Sequence, residues 1–197
     1  MENTTKSKIL EEALILFAEN GYKGTNLRDL AIRLGLSKSA LYKHYTSKEA
    51  IWNALLDKME AYYAEQFGST ERMPLQPKSG EELLRLAMGQ INFTVHDEKI
   101  ILTRKLLLTE QFHDERVCRL ATKHFLVGTK NMFQVIFERM MEDGLMKKEN
   151  PEILAFAFTA PVTSLIQLCT REPDRQEEVM KRAEEFIKYF IATYMEK

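Results

Sequence analysis

Cysteine is almost missing from this chain. Cys118 and Cys169 are the only two in 197 residues, they form no close motif, and two thiols cannot supply a disulfide framework. An excess of charge is missing as well, since 28 Lys and Arg stand against 29 Asp and Glu. Any attraction to a polyanion therefore depends on where the charges sit. There is no long hydrophobic run. The nearest, 153–169, is 17 residues with Thr159, Pro161, Thr163, Ser164 and Gln167 inside it, too short and too polar for a membrane span and better suited to a buried interface helix. The first eight residues hold no apolar signal region, so a cytoplasmic location is expected and no membrane partner. Glycine-rich phosphate loops, zinc-helix motifs and nucleophile elbows are also lacking. The one titratable cluster is His113, Asp114, Cys118 and His124, and its steps of five and six residues spread the groups around a helix. His96 beside Asp97 suits a surface pair at a helix end. No enzyme, catalytic residue, metal or cofactor is expected.

What is present is helical periodicity. The chain is 45% hydrophobic and 29% charged, the balance of a soluble globular protein large enough to bury a core. Strand signals and internal repeats are absent, and apolar residues recur at three and four nearly throughout. This predicts an all-α fold of about nine helices, at about 4–20, 27–34, 38–45, 47–67, 81–96, 98–112, 114–143, 150–171 and 174–195. The stretch 68–80, with Pro74 and Pro77, reads as a loop. Gly144 is a helix stop, Asn150-Pro151 a cap with a first-turn proline, and Pro161 is expected to kink or split its helix.

The most informative segment runs from Leu27 to Tyr45. Asn26 is placed to cap a short helix with Asp29 in its first turn, and Leu27, Leu30, Ala31 and Leu34 give that helix one buried stripe. Gly35 ends it, Leu36 plugs the corner, and Ser37 caps a second helix whose inward face is Leu41 and Tyr45. That leaves Lys38, Ser39, Ala40, Tyr42, Lys43 and His44 outward. Between residues 21 and 48 six Lys and Arg face one acid, Asp29, so the segment carries +5 and the rest of the net −1 chain carries −6. A helix-turn-helix that enters a DNA groove has this form, and so does an ordinary pair of amphipathic helices with a solvated basic face.

The stretches Phe17-Ala18-Glu19-Asn20-Gly21-Tyr22, Leu30-Ala31-Ile32-Arg33-Leu34-Gly35-Leu36-Ser37, Leu41-Tyr42-Lys43-His44-Tyr45 and Ser47-Lys48-Glu49 occur in order. Over about the first 55 residues they resemble the DNA-binding domain of the tetracycline-repressor (TetR) family of bacterial transcriptional regulators. The resemblance implies an N-terminal three-helix DNA-binding domain, 1–46, joined to a larger helical effector-binding and dimerisation domain, 47–197. It implies that Thr25, Tyr42 and Lys48 touch phosphates, while Lys38, Ser39, Ala40, Lys43 and His44 face base edges or the adjacent backbone. Ser39 stands where many members have glycine, and Tyr45 where phenylalanine is usual. The partners implied are double-stranded DNA with a near-palindromic operator, a second copy of the chain, and a small effector whose binding releases a repressor. A DNA-bound scaffold for another protein, with no small ligand, is the alternative.

Two further sets of residues carry expectations. The helices at 150–171 and 174–195 have apolar faces wider than one stripe, which suits a four-helix homodimer interface. Its expected members are Leu165, Leu168, Val179, Ala183, Phe186 and Phe190, and family members dimerise through their last helices. The middle of the chain is rich in Met and aromatics. Met59, Tyr63, Phe67, Met88, Phe93, Phe112, Phe125, Met132 and Phe133 are the expected lining of an apolar effector pocket.

Overall fold

The computed structural model describes residues 2–67 and 76–196, with the backbone alone at 2, 3, 63, 66 and 67. Its α-helices are α1 (Glu2–Gly24), α2 (Leu27–Arg33), α3 (Lys38–His44), α4 (Lys48–Phe67), α5 (Gly80–His96), α6 (Glu98–Glu110), α7 (Glu115–Thr122), α8 (Gly128–Glu142), α9 (Pro151–Arg171) and α10 (Gln176–Tyr194). The described residues form no strand beyond a single bridge between Met146 and Met195, so the all-α expectation holds. Of the expected loop at 68–80, residues 68–75 lie outside the described residues, Pro74 among them, and Pro77 is buried.

The helix expected at 114–143 is interrupted. Lys123–Val127 form one π-helical turn, and the Gly128 N–H reaches back to the Lys123 carbonyl, so one residue is inserted between α7 and α8. Pro161 does not split α9, which runs unbroken for 21 residues. Pro161 and Ala157 both lie on the exposed side of the helix, so the carbonyl that loses its donor faces outward. At this length α9 is also long and apolar enough to cross a membrane by composition, unlike the shorter run read from the sequence. Leu154, Ala155, Phe158 and Val162 of α9 are nevertheless buried in protein.

Two compact units are present. The first gathers the residues through Ala64 with Leu102–Ala121. Its core takes Ile9, Ala13 and Phe17 from α1, Leu30 from α2, Leu41 from α3 and Ile51, Trp52 and Leu56 from α4. Through Ala64, α4 thus belongs with α1, α2 and α3, together with most of α6 and of α7. The second unit takes Glu65–Ile101 and the chain from Thr122 onward. Phe133, Phe137, Phe158 and Phe190 pack together at its centre, with ring centroids 4.6 to 5.7 Å apart. The end of α10 is pinned there, because the Lys147 N–H donates to the Tyr194 carbonyl at 2.8 Å and Glu196 N–H to the Leu145 carbonyl at 3.0 Å.

Candidate nucleic-acid interface

The two short helices form for local reasons. Asn26 Oδ1 accepts the Arg28 N–H at 2.9 Å and opens α2. At its end Gly35 takes φ +64°, with open space where a side chain would be, so this glycine is needed for its backbone angle alone. The Leu36 N–H returns to the Ala31 carbonyl at 2.9 Å and the Gly35 N–H to Ile32 at 3.0 Å, which satisfies carbonyls left over at the helix end. Ser37 Oγ accepts the Ala40 N–H at 3.1 Å and opens α3. Leu41 is fully buried and seats α3. Lys38, Ser39, Tyr42 and Lys43 are then exposed, with Ala40 and His44 half-buried. The Lys38 ammonium lies 5.8 Å from the Tyr42 ring centre, and Ser39 Oγ is 3.0 Å from Ser37 Oγ. Two cations, hydroxyls and a phenol thus share one face of one helix, a set that donates to phosphates and base edges.

Thr25 and Lys48 are placed otherwise than expected. Thr25 is 4% exposed, and its hydroxyl donates to the carbonyls of Leu16 at 3.1 Å and Gly21 at 2.7 Å. A phosphate contact through that hydroxyl is therefore corrected to an internal brace. Lys48 Nζ donates to the carbonyls of Tyr22 at 2.7 Å and Thr25 at 2.9 Å and sits 4.5 Å over the Tyr22 ring. Two of its three N–H bonds are committed to the last turn of α1 and the link to α2. Gly21, inside the range given for α1, breaks that helix at φ 70° and ψ 172°, and residues 21–26, from this break to the cap of α2, form the turn at which both side chains are held. The basic excess is also smaller than the count suggests, because Arg33 pairs with Glu19 at 3.1 Å and Glu12 at 4.0 Å.

Residues far along the chain join this unit, and nothing in their spacing announces it. Trp52 Nε1 donates to Asp114 Oδ2 at 2.8 Å, while Asp114 Oδ1 accepts the N–H groups of Arg116 at 2.8 Å and Val117 at 3.2 Å. Burial raises the Asp114 pKa, but these hydrogen bonds and the Arg116 charge outweigh it and hold the carboxyl below its ordinary value. Arg116 in turn donates to Glu60 at 2.9 and 3.1 Å and to Asp57.

The residues expected to line an effector pocket divide between the units. Met59 is buried in the first, and the side chains of Tyr63 and Phe67 lie outside the described residues. Phe112 is 84% exposed, because α6 ends at Glu110 and the turn that follows carries the ring outward. Its place in a pocket is corrected, as is that of Phe93, which is exposed on α5. Phe133 belongs to the aromatic core. Met88, Phe125 and Met132 are half-buried in the second unit, with Gln90 Nε2 3.9 Å from Met132 Sδ and Phe125 in the π-turn.

The π-turn also holds His124, whose pKa burial lowers from 6.5 to about 4. The folded chain keeps this imidazole neutral where the unfolded chain binds a proton. The stabilisation is present in full above pH 6.5 and is lost as the pH falls toward about 4. Melting temperatures taken across that window should fall more steeply for the wild type than for His124→Gln, and parallel curves would refute the assignment.

The expected dimer face also shifts. Val179, Ala183 and Phe190 are buried within the second unit's own core and are corrected to core residues, while Leu165, Leu168 and Phe186 are half-buried. The apolar side chains left open are Ile153 and Phe156 on α9, 67% and 57% exposed, and Tyr189 on α10, 71% exposed.

Comparison with known proteins agrees with this geometry. Residues 9–55 match the family model described as bacterial regulatory proteins, tetR family. The biofilm operon icaADBC HTH-type negative transcriptional regulator IcaR of Staphylococcus epidermidis is 38% identical over 58 residues, 29% of this chain and 31% of that protein. The HTH-type transcriptional regulator YerO of Bacillus subtilis is 31% identical over 115 residues, 57% of this chain and 38% of that one. The chain therefore spans about a third of the length of the curated relatives it matches. Among solved structures, a TetR-family regulator from Mesorhizobium loti superposes with a TM-score of 0.68 at 20% identity, over 100% of this chain and 99% of that one. A SmeT–triclosan complex superposes at 0.71 with 18% identity, over 98% and 93%.

Proposed function

We propose that the chain is a member of the tetR family of bacterial regulatory proteins, whose model residues 9–55 match, a transcription factor and not an enzyme, and that it works as a homodimeric repressor. In this reading two copies of α3 read the halves of a near-palindromic operator, and a small, mostly apolar effector releases them. The observation that carries the reading is the face of α3, where Lys38, Ser39, Tyr42 and Lys43 are exposed together while Leu41 seats the helix. The open side chains Ile153, Phe156 and Tyr189 support a second copy as the partner of α9 and α10, because two-fold association brings like faces together. Half-buried Met88 and Met132, with half-buried Phe125 in the π-turn, support an adaptable apolar effector site in the second unit, and SmeT, of the same fold, has been solved with triclosan. A DNA-binding protein of this kind acts in the cytoplasm.

Selection from random duplexes tests the reading. The wild type should enrich a near-palindrome, with affinity that falls steeply as salt rises. Lys43→Ala should weaken binding of the enriched duplex by ~1–3 kcal/mol and, if the contact is to a phosphate, reduce the salt slope by about 1. Enrichment of no duplex, or binding indifferent to salt, would overturn it.

A further inference from the structure

The turn that joins α1 to α2 is gripped from two sides. On the carbonyl side Lys48 of α4 donates to Tyr22 and Thr25. On the N–H side Glu110, the last residue of α6 and 88 positions away, accepts the Tyr22 N–H at 3.1 Å through Oε1. Glu110 is 6% exposed and is the only buried carboxylate among the described residues. An acid at a helix C-terminus meets the unfavourable end of the dipole, and a buried one also loses hydration. Its position therefore needs a compensating partner, and the turn supplies one. A Cβ built on Gly21 falls 2.6 Å from the same Oε1, so the carboxylate fills the space that a side chain at position 21 would need.

We infer that Glu110 is a positioning residue for DNA binding, fixing the backbone of the α1–α2 turn and through it the seat of the reading helix. The inference rests on the DNA-binding reading of α3. The path is short: Asn26, next after Thr25, caps α2, α2 contributes Leu30 and Ala31 to the core, and Leu41 holds α3 in the same core. Displacing the turn therefore moves Lys38, Tyr42 and Lys43, although Glu110 presents no atom to the face that carries them.

The test uses the full chain and the duplex most enriched by the wild type from a random library. Glu110→Ala leaves the Tyr22 N–H without its acceptor and should cost on the order of tenfold or more in affinity. Glu110→Gln keeps an acceptor oxygen and should stay close to the wild type. Hydrogen exchange gives a readout that general weakening would not mimic. The Tyr22 amide should exchange faster in Glu110→Ala and not in Glu110→Gln, while the amides of Leu14 and Phe17 stay protected. Gly21→Ala should cost less in the Glu110→Ala background than in the wild type, since one of its two conflicts is then gone. Wild-type affinity in Glu110→Ala, or unchanged exchange at Tyr22, overturns the inference and leaves the DNA-binding reading intact. A wild type that enriches no duplex overturns both.

Discussion

Phe156→Asp is expected to give a folded chain that sediments as a monomer and no longer holds its operator. Phe156 is exposed in the single chain and Ile153 lies three residues before it on the same helix, while Ala157, Ala160 and Ser164 beside them are small enough for another helix to approach closely. A carboxylate there meets water in the monomer and costs the fold little. In a two-fold interface it is buried twice, opposite its own copy, at a cost of several kcal/mol. Operator affinity falls with it, because each half-site alone supplies only part of the binding free energy. Phe190→Asp must behave differently, since Phe190 is buried and its ring packs against Phe137, Phe158 and Tyr194. That variant should lose its cooperative melting transition. Sedimentation velocity and far-UV circular dichroism on the pair decide the matter. A Phe156→Asp dimer, or a stably folded Phe190→Asp monomer, would move the interface elsewhere.

The contrast between these two phenylalanines marks where sequence reading stops. Periodicity shows that α10 is apolar on more than one side, but not which stripe is turned inward. That depends on partners elsewhere in the chain, here Phe137 and Phe158. Caps and stops were legible because they are local: Asn26, Ser37 and Asn150 accept backbone N–H groups within three residues of themselves, and Gly35 and Gly144 take positive φ as expected. The exposure of Lys38, Ser39, Tyr42 and Lys43 on α3 follows from the same short-range geometry, whereas Ala40 and His44 are half-buried. Thr25 differs because the family pattern marks the residue, whereas its hydroxyl turns inward to the Leu16 and Gly21 carbonyls. Glu110 was invisible, since its partner is 88 residues away and a lone acid at a helix end has the sequence signature of a surface residue.

Trp52→Ala is expected to be the most damaging single change in the first unit. The indole is buried, its ring centre 5.0 Å from Phe17 in an edge-on contact and 5.0 Å from Tyr22, and its N–H is the donor to Asp114. Truncation removes the ring from between α1 and α4, leaves a cavity and strips Asp114 of one hydrogen bond, a combined loss of about 3–5 kcal/mol. Trp52→Phe separates the two contributions. It keeps most of the apolar area and loses the donor, so about 1–3 kcal/mol is the expected cost. Urea titrations followed by circular dichroism should place the midpoints in the order wild type, Phe, Ala. DNA binding should follow the same order, because Trp52 packs directly against Tyr22, the residue whose backbone Glu110 and Lys48 hold. Equal midpoints for the two variants would mean that the ring contributes little beyond its N–H. An alanine variant as stable as the wild type would show that the turn, and the reading helix beyond it, is held without the indole.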